Sequence, residues 1–142
     1  MLIAAGHVSS VAEAFERYLG EDSPAYVPHS GASPADVVEL VARGGGAPSL
    51  AHPGYRGAGP TAPKDDLIPD LVDAGLVAVE AIHSSHDAEQ QAHYIKLAAL
   101  HNLAVTGGSD YHGEGTRRAE FFGVIHLPRA YFDDFVSRPR AE

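Results

Sequence analysis

The chain has 142 residues, 44% of them hydrophobic and 20% charged, with 15 glycines and 10 prolines. These values suit a soluble globular protein and exclude a disordered or fibrous one. A formal net charge of −9 disfavours broad, non-specific binding to a nucleic acid backbone, and zero cysteines exclude disulfides and thiolate metal sites.

The first ten residues, MLIAAGHVSS, carry no basic n-region. No apolar run approaches the roughly 20 residues that cross a bilayer. The expectation is a cytoplasmic, reducing location without a membrane partner. Ser10 and Glu13 form a capping-box pattern ahead of Val11, Ala14, Phe15, Tyr18 and Leu19, so a helix is predicted there, stopped by Gly20. After the Pro-containing EDSPAYVPHSGA, Ser33 caps a second helix with Pro34 at its first position and RGGGA as its stop. Residues 1–45 thus read as a helical segment.

From residue 46 to 142 the rhythm becomes strand and helix in alternation. APSLA (47–51) reads as a short buried strand, and DDLIPDLVDAG as a helix ended by Gly75. LVAVEAI (76–82) is the next strand. DAEQQAHYIKLAALHN is a helix capped by Asp87, with Ala92, Ile95, Ala99 and Leu103 along one side. LAVTG (103–107) and FGVIHL (122–127) are further strands, and PRAYFDDFV is a short amphipathic helix. Strands separated by single helices predict right-handed crossovers and a parallel α/β sheet.

In such sheets, ligands gather at the carboxyl ends of the strands. The polar residues of this chain fall there. His52 follows the first strand, His83 and His86 the second, Asp110 and His112 the third. Of nine histidines, these four share one predicted rim. Imidazole and carboxylate without thiolate suit the divalent metals of hydrolytic centres, which activate water and hold phosphoryl charge. His52 before PG, and Asp110 and His112 on a glycine-rich loop, read as metal ligands in preference to ordinary turn residues. His83 and His86 are balanced between substrate binding and starting the following helix. Arg56, Arg117 and Arg118 offer charge-assisted contacts to phosphate, although each taken singly reads as a solvated surface arginine. His7, His29, His93, His101 and His126 read as structural. The chain has no convincing serine triad, P-loop or dinucleotide fingerprint, and no catalytic residue is assigned.

LAHPGYRG, GLVAVEAIHSSHD and LAVTGGSDYHG, in this order, resemble the C-terminal half of the PHP-domain phosphoesterases (polymerase and histidinol phosphatase). GHVSSVAEAFERYLGEDSPAYVP resembles the inserted helical region of the branch acting on nucleotide phosphates and short RNA 5′-phosphates. The resemblance implies part of a distorted seven-stranded β/α barrel around a multi-metal centre holding Mn, Zn, Fe or Mg. It implies His52, Asp110 and His112 as metal ligands, with Arg56, His83 and His86 toward substrate. In the family an arginine often follows HPG directly; here Tyr55 intervenes. Family members also open with an H-x-H strand, and this chain contains no H-x-H. The expectation is therefore a phosphoesterase truncated at its N-terminus, weak or inactive alone. The alternative is a non-catalytic remnant, or half of a split enzyme, pairing with a complementary half or with itself through open strand edges. A metal-dependent amidohydrolase is the weaker third reading.

Overall fold

Local capping builds the first helix. The Ser10 hydroxyl accepts from the Glu13 N–H at 3.1 Å, and Glu13 in turn takes the Ser9 N–H and hydroxyl at 2.8 and 2.7 Å. The computed structural model describes residues 1–28, 31–54, 65–114 and 119–138. Helix α1 runs only over Val11–Ala14, and the chain then widens into a π-helical turn, Phe15–Leu19, which Gly20 closes onto the Phe15 carbonyl. Met1–Ala32 form one compact unit, with Val8 and Ala14 buried inside it.

Ser33 to Glu142 form the second unit. Helix α2 (Pro34–Arg43) opens on a complete Ser33–Asp36 capping box with Pro34 in the first turn. It belongs with this later unit although the sequence grouped it with residues 1–45, because Val38 packs into the later unit's core. Strand β1 is Ser49–Leu50, helix α3 Ile68–Asp73, strand β2 Ala78–His83, helix α4 Ala88–Leu100, strand β3 Ala104–Gly108 and helix α5 Arg129–Ser137. The three strands are parallel, in the order β1-β2-β3. The predicted parallel α/β arrangement is present.

Helix α4 bridges β2 and β3, and its start is well specified: Asp87 and Gln90 make a reciprocal capping box. Its buried face matches the predicted side only in part: Ile95 packs against the core and Leu103, just past the helix, is buried. Tyr94 and Ala98 are buried, whereas Ala92 and Ala99 are exposed. Several small apolar residues crowd this helix, so periodicity alone allows two faces. The sheet selects the one that lets the Tyr94 ring cover it. Segment 122–127 also departs from its predicted strand: no ladder forms there, and Phe122 and Val124 are 71% and 56% exposed. Among the described residues no strand pairs with it, and without a partner to satisfy its backbone an apolar alternation does not become a strand.

The register between β2 and β3 shifts at a bulge between Glu80 and Ile82. Gly107 sits opposite that bulge, and a Cβ there would lie 2.6 Å from the Ile82 carbonyl oxygen. The close backbone approach requires glycine. Beneath the sheet, Ile68, Leu71, Val79, Ala98 and Val105 form the core of this unit. That core fixes the strands whose carboxyl ends carry the site.

Candidate metal centre

Each of the three strands delivers one ligand-competent side chain to the same edge. His52 lies two residues beyond β1, His83 is the last residue of β2, and Asp110 lies two residues beyond β3. One ligand atom from each of these three lies within 4.8 Å of the others. The His52 and His83 ring centroids are 4.9 Å apart. Two of the three residues have left-handed backbones: φ is +28° at His52 and +54° at Asp110. Non-glycine residues pay for that conformation, and it persists where surrounding contacts over-determine it.

Those contacts are visible at His52, whose N–H donates to Glu80 Oε2 at 2.9 Å. Glu80 is half-buried beneath the cluster. Burial pushes its carboxyl above the ordinary carboxylate range, opposed by the His52 N–H bond and the His52 and His86 imidazoles. His83 is nearly fully buried. Its Nδ1 meets Ser85 twice: the hydroxyl at 2.7 Å and the backbone N–H at 3.1 Å. The N–H favours a lone pair on Nδ1. In the other tautomer Nδ1–H donates a hydrogen bond to the hydroxyl, which leaves the Nε2 lone pair for a cation.

The remaining rim residues sit differently. His86 is buried, and both ring nitrogens are engaged by backbone: Nδ1–H donates to the Ala81 carbonyl at 2.8 Å, and Nε2 accepts from Gly54 N–H at 3.0 Å. The His112 side chain is 70% exposed, with Nδ1–H donating to the Asp110 carbonyl at 2.7 Å; it is outside the three-residue cluster. Arg56, Arg117 and Arg118 lie outside the described residues. His93, read as structural, pairs with Asp65 at 2.7 Å on the surface. Sequence reasoning left His83 balanced between substrate contact and a structural role; its burial and its last-in-strand position bring it against His52 and Asp110. The roles of Glu80 and Gln90 below it carried no sequence signal beyond alternation along β2 and the helix cap.

Two imidazoles and one carboxylate, convergent and part-buried, form a donor set that fits a divalent zinc-, manganese- or iron-type cation. Together with the parallel sheet, this defines an α/β protein with a metal-competent site at its strand carboxyl ends.

No family model matches the chain. Among curated proteins, it is 42% identical to a phosphoribosyl 1,2-cyclic phosphate 1,2-diphosphodiesterase of Eggerthella lenta, over 56% of this chain and 28% of that protein. It is 35% identical to a 3′,5′-nucleoside bisphosphate phosphatase of Chromobacterium violaceum, over 82% of this chain and 41% of that one. It also matches the 5′-3′ exoribonuclease Rnm of Escherichia coli at 27% identity, over 78% of this chain and 38% of the relative. Among solved structures, it superposes on a Bifidobacterium adolescentis protein described as a metal-dependent phosphoesterase, with TM-score 0.69 and 32% identity over 82% of this chain and 41% of the other. A Chromobacterium violaceum protein described as an amidohydrolase, with bound sulfate, gives TM-score 0.62 at 33% identity over 80% of this chain and 40% of the other. These matches fit the PHP-type phosphoesterase family, and the chain spans 28% to 41% of the length of the curated relatives named here.

Proposed function

We propose that this chain takes part in metal-dependent hydrolysis of phosphate esters carried on a ribose, such as nucleotide phosphates or the 5′-phosphate of short RNA. The observation that carries the reading is the convergence of His52, His83 and Asp110 within 4.8 Å at the strand ends. The names of the relatives support the substrate class, since cyclic phosphoribosyl, nucleoside bisphosphate and RNA substrates share a ribose phosphate. His52, His83 and Asp110 would hold the cation, with His112 beside them as the further ligand its motif implies. When bound, a divalent cation supplies an acidic water and a clamp for phosphoryl charge. The chain's own residues prepare that site. Glu80 holds the His52 backbone, and the Ser85 hydroxyl can accept a hydrogen bond from His83 Nδ1–H, the tautomer that leaves Nε2 to face a cation. Arg56 remains the candidate for substrate phosphate, and the enclosing seven-stranded barrel remains part of the same proposal.

Three convergent ligands among the described residues are few for a hydrolytic centre of more than one metal. The 142-residue chain is therefore expected to bind Mn(II) or Zn(II) but to turn over a 3′,5′-nucleoside bisphosphate poorly. Calorimetric metal titration of the wild type against His52→Ala, His83→Ala and Asp110→Ala tests this, with phosphate release measured beside it. Affinity unchanged in all three variants sinks the metal reading, and fast metal-dependent turnover sinks the expected weakness. A loss in His112→Ala equal to the others would place His112 in the ligand set.

A second reading is pairing with a complementary segment or a second copy, supported by the one-sided pairing of β1 and β3 among the described residues. Sedimentation of the same preparation separates the two, since a mass that stays at one chain across concentrations counts against association.

A further inference from the structure

The loop that carries His52 is gripped at a single residue, Gly54. Gly54 N–H donates to His86 Nε2 at 3.0 Å, and the Gly54 carbonyl accepts from Gln90 Nε2 at 3.0 Å. A Cβ at Gly54 would lie 2.9 Å from His86 Nε2 and 3.0 Å from Gln90 Nε2, so the loop seats closely against these side chains and a larger residue would push them aside. His86 is itself anchored: Nδ1–H donates to the Ala81 carbonyl in β2, and its ring stacks on Tyr94 of α4 at 5.3 Å. Gln90 is anchored too, because its Oε1 accepts the Asp87 N–H in the helix cap. The grip thus runs from the sheet and the start of α4 directly to the loop two residues past His52.

We propose that His86 and Gln90 are positioning residues: they clamp the Gly54 backbone through its N–H and its carbonyl and so hold His52 in its left-handed, ligand-presenting conformation. The inference rests on the reading of His52 as a metal ligand. It gives His86 a role other than substrate contact, since both its ring nitrogens are committed to backbone. His52 at φ +28° needs such over-determination, and the Glu80 bond secures only its own N–H. Residues that orient a ligand from behind typically change metal affinity by about 10- to 100-fold when lost.

The test uses the full chain and three near-isosteric variants. Gln90→Glu keeps the Oε1 that accepts in the helix cap and removes the N–H that reaches Gly54. His86→Asn keeps a donor toward Ala81 and removes the acceptor for Gly54, whereas His86→Gln restores an acceptor at that reach. Two readouts are taken: Mn(II) and Zn(II) affinity, and amide hydrogen exchange at Gly54 with Val79 and Val105 as core references. The expected result is an affinity loss of about tenfold in Gln90→Glu and His86→Asn, partly recovered in His86→Gln. Gly54 exchange should accelerate in the first two while the core amides keep their protection. Unchanged affinity in both overturns the positioning role, whatever the exchange shows. A wild type that binds neither metal defeats the metal reading instead, and the clamp is then decided by exchange alone. Accelerated exchange confined to the loop upholds it, and unchanged Gly54 exchange overturns it.

Discussion

At the scale of single residues, two carboxylates show how the same group serves different ends. Glu80 is half-buried, and desolvation pushes its carboxyl up; its bond to the His52 N–H works against that shift. Glu13 is partly exposed at the surface and hydrogen-bonded. The Ser9 N–H and hydroxyl, then Arg17 at 2.6 Å, hold it down from 4.5 to about 2. A depressed folded-state value means the contribution of Glu13 is present above the unfolded value near 4.5 and is lost as pH falls toward about 2. Carboxyl NMR titration of the chain should give a Glu13 midpoint well below that of a free glutamate. Ser9→Ala removes the hydroxyl contact and keeps the backbone one, so it should move the midpoint part of the way upward, and an unmoved midpoint would show that the hydroxyl contact is absent in solution.

Elements add a second layer, in which capping decides where a helix starts and the sheet decides which side it buries. Helix α4 has a boundary readable from Asp87 and Gln90, but its inward face was set by tertiary contact. Ala98 is 1% exposed against the core, and its neighbour Ala99 faces outward. Ala98→Leu should therefore overpack the interface with β2 and β3 and cost about 1–3 kcal/mol. Ala99→Leu should stay within about 0.5 kcal/mol of the wild type. Urea unfolding of both variants checks the assignment. Equal costs would mean that α4 packs on the face its sequence periodicity first suggested.

Across the whole molecule, one core in the later unit ties α2, α3 and α4 to the sheet, through Val38, Leu71, Ala98 and Val79. Because Leu71 is 3% exposed within that core, Leu71→Ala should cost about 2–5 kcal/mol in chemical unfolding. A loss below about 0.5 kcal/mol, the range of surface substitutions, would mean the site Leu71 leaves is not packed as described. Whether this unit works alone is a separate matter from whether it folds, since the curated relatives extend well beyond the stretch it matches.

The sequence by itself determined the parallel α/β class, the helix starts at Ser10, Ser33 and Asp87, and the family resemblance, because these depend on contacts between residues near in the chain or on motifs read directly. It also put His52, His83, His86, Asp110 and His112 at strand ends. Only the tertiary structure decided how that rim divides: His83 turns to His52 and Asp110, His86 turns down to the Gly54 peptide, and the His112 side chain stays mostly in solvent. It likewise left 122–127 without a strand partner and turned Tyr94 rather than Ala92 inward. The physical reason is the same in each case. Spacing along a strand or helix offers a side chain a direction, but the partner that satisfies its polar atoms or excludes its water comes from a distant part of the chain.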